Sequence, residues 1–327
     1  MKRFKIIFLA LILALFVAGV SYSNSNVNLS IGTASLGGNF FTMGAVIAEV
    51  IINKTDFRAV AQATGGSAVN VDMVNDKEID MAICQASAIS AAVRGLEQYA
   101  GAPVKDVRTL VNWNATPVHI MVRRSIGATN VTDLAKSRIE CITPGDGIEI
   151  STKMILNAVG MSFDDAKIEH SGNRVQSASR FKTGGVDAIF DATGLGAAWI
   201  TDIIGNGTTF ELLSLTEEQI EKIAASAPEM RKMVIPAGSY SGQDKEVVTV
   251  GNWTTLIAHE SMNEDVVYTV TKTICENKED LVKGHNFFRD LDAENIIGAC
   301  VAPLHPGARR YYQETGNPKI LEFLKNN

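Results

Sequence analysis

Hydrophobic and polar positions follow one order repeatedly along the chain. An apolar run of strand length is followed by a glycine- or hydroxyl-rich loop, then by a segment with helical spacing of its apolar residues. Val27 to Ala34 predicts a strand, the loop runs from Ser35 to Asn39, and Phe40 to Ile52 predicts an amphipathic helix. Phe57 to Ala63 predicts a second strand, Thr64 to Ser67 its loop, and a helix runs through Val69, Met73 and Val74. A third strand over Asp80 to Cys84, a short loop Gln85-Ala86-Ser87 and a helix from Ala88 to Gly95 complete the set. Strands alternating with helices predict a parallel sheet covered by helices, an α/β fold.

The order then recurs. Strands are expected over Arg138 to Thr143, Ala166 to His170 and Asp187 to Asp191, each followed by a loop and a helix. The interval from Ile31 to Val60 is 29 residues, as is that from Ile139 to Ile168. Two similar lobes, each a mostly parallel sheet flanked by helices, account for this repetition. Val118 to Arg123 and Glu246 to Ala258 read as two crossings of a hinge. The expected organisation is therefore a first lobe over 24–118 and 254–327, interrupted by a second over 119–253. The C-terminal part is helical, with Asn263 suited to an N-cap and Pro306 to a first helical position.

The N-terminus reads as an address. Lys2, Arg3 and Lys5 precede an uncharged, mostly apolar stretch of 15 residues from Ile6 to Val20. A spanning helix needs about 20 residues, so a secretory signal over residues 1–23 fits better than a membrane anchor. Its loss takes away 23 residues and three positive charges, leaving 304 residues and moving the net charge from −6 to −9. An acidic chain of this kind lacks the basic surface that nucleic-acid recognition needs. The four cysteines, Cys84, Cys141, Cys275 and Cys300, show no CxxC spacing, which argues against a structural zinc site of the usual kind. Export leaves a Cys275–Cys300 bond open beside four free thiols.

Ligands of open parallel sheets bind beyond the carboxyl ends of the strands, where helix N-termini present free N–H groups and favour anions. Here those points carry Ser35, Gly37 and Gly38; Thr64, Gly65, Gly66 and Ser67; Ser87; Gly145; and Thr193. Glycine lets a ligand approach the backbone, and hydroxyls add adaptable hydrogen bonds. The same residue types are also ordinary turn and cap residues. Phe40, Phe41 and Trp113 are candidate aromatic walls, each equally suited to a core. Arg174 is a candidate carboxylate partner, and apart from it no basic residue lies beside these loops. The expectation is a small anion held by backbone and hydroxyl groups, with no cofactor and no metal. The five histidines show no metal-binding spacing, and Gly238-Ser239-Tyr240-Ser241-Gly242 has tyrosine where a nucleophile elbow has serine.

Four segments, IGTASLGGNFFTMGAVIAEVI, QATGGSAVNVDMVNDKEIDMAICQAS, GGVDAIFDATGLGAAWITDI and PLHPGARRYYQETG, resemble the TAXI family of TRAP-transporter solute receptors. The resemblance implies a two-lobed periplasmic binding protein fold, of the Venus-flytrap kind. It also implies a monomeric receptor that delivers a small carboxylate, such as glutamate or 2-oxoglutarate, to a membrane permease. The ligand loops it implies are Gly37 to Phe41, including Asn39, Thr64 to Ser67, Gln85 to Ser87, and those near Gly145 and Thr193. Many relatives have Tyr-Pro where this chain has Phe41-Thr42, so a tyrosine hydroxyl is missing there. An ABC-importer receptor of similar architecture and an exported hydrolase or transferase are the alternatives.

Overall fold

Strand β1 (Asn28–Gly32) lies between β2 (Arg58–Gln62) and β3 (Met81–Gln85), parallel to both. Every residue of β3 is buried, as a strand covered on both faces requires. The computed structural model describes residues 27–326, apart from 37, 206–208 and 299. The expected signal segment, residues 1–23, lies outside the described residues, as does the candidate Gly37. The helices following these strands are α1 (Asn39–Lys54), α2 (Ser67–Asn75) and α3 (Ala86–Arg94). The expected loop Gln85-Ala86-Ser87 is absent: β3 ends at Gln85 and α3 begins at Ala86. A side-chain bond replaces the loop, since the Ser67 hydroxyl accepts the Gln85 N–H at 3.1 Å.

The second half repeats the plan. β5 (Arg138–Glu140) lies between β6 (Lys167–Glu169) and β7 (Ala188–Ala192), again parallel to both. Helices α4 (Gly147–Ala158), α5 (Arg174–Thr183) and α6 (Ala198–Ile204) follow. β5 is shorter than expected because the chain turns at Ile142, which has a positive φ of 65°.

Two long strands join the halves. β4 (Val107–Arg123) has 17 residues and β10 (Val247–His259) has 13, and they run antiparallel side by side. β10 pairs antiparallel with β3, and β4 pairs antiparallel with β7. Each parallel trio is thus bordered by a crossing strand, giving the order β2-β1-β3-β10-β4-β7-β5-β6. β8 (Phe210–Leu212) and β9 (Arg231–Ile235) add to β4 and β10 respectively. The first crossing begins well before the predicted Val118, because the apolar residues from Val107 to Trp113 also belong to it. Pro117, which has no N–H, sits beside the point where β4 takes β7 as a partner.

Capping fixes the helix starts. Asn173 accepts the Gln176 N–H, Asp146 that of Gly147, and Thr216 with Gln219 forms a capping box at α7 (Glu217–Ser226). The C-terminal helices α8 (Glu264–Glu276), α11 (Pro306–Glu314) and α12 (Pro318–Asn326) cover the first half; two short helices, α9 (Lys278–Gly284) and α10 (Ala293–Ile296), lie between α8 and α11. There Ile31, Ile47, Val267, Ala308 and Ile320 share one core. A second core is continuous across both halves, joining Ile89 and Ala92 of α3 to Ile150 and Ile155 of α4. All four cysteines are free: Cys300 accepts a hydrogen bond from Asn112 and is not bonded to Cys275. Among the described residues no helix is long and apolar enough to cross a membrane.

Candidate functional site

The carboxyl ends of both strand trios face a narrow cavity of about 40 Å³ between the halves. Gly38, Asn39, Phe40 and Gln85 line it from the first half, Asp146, Arg174 and Thr193 from the second, and Thr116 and Thr254 from the crossing strands. A space of this size admits a few water-sized groups.

Arg174 follows the Asn173 cap, so the start of α5 carries its guanidinium to the cavity. Its Nε and Nη2 donate to the two oxygens of Asp191 at 3.2 and 2.9 Å, and Asp191 is fully buried. The remaining Nη1 faces the first half: a Cβ added to Gly38 would stand 4.0 Å from it. The Asp191 carboxylate holds the Arg174 pKa up, against the cost of its burial. Arg174 is therefore a fixed, oriented cation with one end free for an acid group.

Asp146 reaches the first half. Its Oδ1 accepts the Gly147 N–H at 2.6 Å and would lie 2.8 Å from a Cβ on Gly66. Gly66 has a φ of 105° and a ψ of −164°, a conformation open to glycine alone. The start of α2, through the Ser67 amide, thus faces a carboxylate from the opposite half. Burial raises the Asp146 pKa, and nearby Asp191 adds to this; Arg174 and the two amides oppose it.

Further contacts join the halves. The Asn39 amide donates to Thr193 Oγ1 at 3.3 Å. Deeper, at the crossing, Asn252 Nδ2 donates to Ser87 Oγ at 2.8 Å and Ser151 Oγ at 2.7 Å, with Gln85 Oε1 at 3.2 Å. Asn252 Oδ1 accepts the Ser87 N–H at 3.3 Å. Gln85 also presses on Gly147, where an added Cβ would come 2.4 Å from its Oε1. Behind β7, the Gly196 N–H donates to Tyr240 Oη, the Tyr240 hydroxyl to His119 Nε2 at 2.8 Å, and His119 Nδ1–H to the Pro117 carbonyl. Burial lowers the His119 pKa to about 4, so this ring is neutral.

The predicted site residues divide accordingly. Gly38, Asn39, Phe40, Gln85, Arg174 and Thr193 meet at the cavity, whereas Phe41 does not line it. Ser35 is exposed in its turn. The Thr64 hydroxyl is engaged within the first half, donating towards Thr33 O and Asn70 Oδ1, and Ser67 and Ser87 are buried and bonded as described. Gly65 is crowded by Val69 of its own segment, and the Gly145 N–H donates to Glu149. Trp113 is fully buried in the core, its ring edge-on to Phe288 at 5.7 Å. The hydroxyls of Thr64, Ser67 and Ser87 are bonded within the fold, whereas those of Thr193, Thr116 and Thr254 belong to residues that line the cavity beside Arg174 and Asp146. Asp146, Asp191, Thr116 and Thr254 escaped the sequence reading. The aspartates stood in or beside predicted loops, but a carboxylate there reads as a cap. Among the described residues no group of His, Cys, Asp and Glu side chains could hold a metal ion.

Comparison with solved structures places this fold among periplasmic binding proteins. PhnD1 from Prochlorococcus marinus (MIT 9301), in complex with methylphosphonate, aligns with a TM-score of 0.55 at 10% identity over 83% of this chain and 95% of that one. The periplasmic aliphatic sulphonate binding protein SsuA from Escherichia coli gives a TM-score of 0.50 at 12% identity, over 92% and 90%. The periplasmic binding protein BugD gives 0.51 at 13%, over 92% and 95%. In sequence, the model described as the NMT1-like family matches residues 31–316, and the chain belongs to that family.

Proposed function

We propose that this protein is an exported solute receptor that captures a small carboxylate between two lobes and delivers it to a membrane permease. The observation that carries the reading is Arg174: its guanidinium is anchored bidentately to buried Asp191 and keeps one nitrogen directed across the cleft. A guanidinium held this way binds an acid group at little cost in ordering. The lobes are proposed to part near 118 and 254, where β4 first pairs with β7 and β10 first pairs with β3. Opening about these crossings admits the solute, and closing buries it.

The resemblance of the four segments to TAXI receptors supports a TRAP-type permease, a glutamate- or 2-oxoglutarate-like solute and a periplasmic location. A second reading keeps the cleft and changes the acid group: the similar folds include a sulphonate-binding protein and a methylphosphonate complex. A thermal-shift panel of carboxylates, sulphonates, phosphonates, amino acids, neutral sugars and polyamines separates the two. Stabilisation by carboxylates, lost in Arg174→Ala, supports the proposal. Stabilisation by sugars or polyamines alone refutes it.

A further inference from the structure

Charge does not balance in the closed cleft. Two carboxylates, Asp146 and Asp191, converge on one guanidinium, and Arg174 is already committed to Asp191 through two hydrogen bonds. Asp146 has the field of Arg174, which Asp191 already shares, its own cap bond to Gly147 and the facing Ser67 amide, and its oxygen stands against Gly66 of the other half. A cavity of about 40 Å³ leaves little water to solvate it.

We propose that Asp146 is the charge-selecting residue of this cleft: it closes only when a cationic group of the solute, or a proton, neutralises the Asp146 carboxylate. This rests on reading the cleft as the solute site and deepens it. An acid group alone would satisfy Arg174 and add to the excess negative charge. A solute with an ammonium beside its carboxylate satisfies both ends, so the cleft selects amino acids over the corresponding keto acids.

The charged and titratable groups that face Asp146 are few. Arg174 on α5 and Asp191 on β7 act on it directly, and Cys84 on β3, a buried thiol, feels its charge. Gly66 and Ser67 of the first half contribute backbone. The direction of titration agrees with the geometry, since burial raises the Asp146 pKa in the closed cleft. The closed state then binds a proton more readily than the open one, and falling pH favours closure.

Small-angle scattering on the purified protein without solute, from about pH 8 to about pH 4.5, tests this by following closure as carboxyl groups take up protons. The radius of gyration should fall as pH falls, and Asp146→Asn should be compact throughout. Dimensions that ignore pH in the wild type, or a pH response that survives in Asp146→Asn, overturn the proposal. Calorimetry at about pH 8 with glutamate and 2-oxoglutarate adds the solute arm. Glutamate should bind about tenfold tighter or more, the equivalent of one pKa unit, and Asp146→Asn should erase that preference. A preference that persists in the variant counts against Asp146. If neither acid binds, the proposed solute class fails, and scattering alone still decides the role of Asp146.

Discussion

Replacing Asn252 by alanine tests whether the two halves are coupled through the crossing strands. The Asn252 side chain is fully buried and touches Ser87 and Gln85 of the first half and Ser151 of the second. Its loss falls unevenly on these partners. Ser151 keeps its 2.6 Å bond to the Gly147 carbonyl, so its hydroxyl remains satisfied. The Ser87 N–H, in the first turn of α3, loses its acceptor, and Gln85 Oε1 loses its donor. At about 1–3 kcal/mol for each of these two buried groups left unsatisfied, the expected loss is about 2–6 kcal/mol. Urea unfolding followed by circular dichroism measures it, and the midpoint should fall by roughly 1 M. Asn75→Ala, which removes an exposed bond to Asp76, is the control and should change stability by less than about 0.5 kcal/mol. A loss below about 1 kcal/mol in Asn252→Ala would refute the reasoning, because it would mean that water or a relaxed neighbour replaces these bonds.

Two further substitutions address the site. Gly66→Ala puts a methyl against Asp146 in a backbone region closed to other residues, and should cost about 1–3 kcal/mol in a urea titration; an unchanged midpoint contradicts the assigned conformation. His119 has a folded pKa lowered to about 4, so below its ordinary value of 6.5 the unfolded chain binds a proton that the folded chain refuses. Its contribution to stability is full above that value and lost as pH falls towards 4, by about 3 kcal/mol in all. His119→Gln should flatten this part of the profile relative to wild type, and parallel profiles would be the contrary result.

The repeated strand–loop–helix order was readable because both trios are buried parallel strands, whose apolar runs stand out between glycine-rich loops. The 29-residue spacing is the register of the second trio, where Ile139 aligns beside Ile168, and falls one residue short in the first, where Ile31 aligns beside Ala61. The crossing strands were harder to read. Val107 to Trp113 looked like the end of one lobe, and only pairing along β10 makes it continuous with Val118 to Arg123. At the site, Arg174 was legible as a charge beside a loop, but its anchor was not, because Asp191 lies at the end of a different strand. Ser67 and Ser87 illustrate the converse. A hydroxyl at a helix start looks available in sequence, and here Gln85 and Asn252 occupy both. Asp146 combines a local cap with a contact to Gly66 some 80 positions earlier, which no local pattern records.

Native mass spectrometry of the purified protein, beside Arg174→Ala, tests the receptor reading most directly. A closed cleft that holds its solute through Arg174 predicts a small organic acid that survives buffer exchange on the wild type and is absent from the variant. An acid retained equally by Arg174→Ala would contradict the account, for the solute would then sit elsewhere in the molecule.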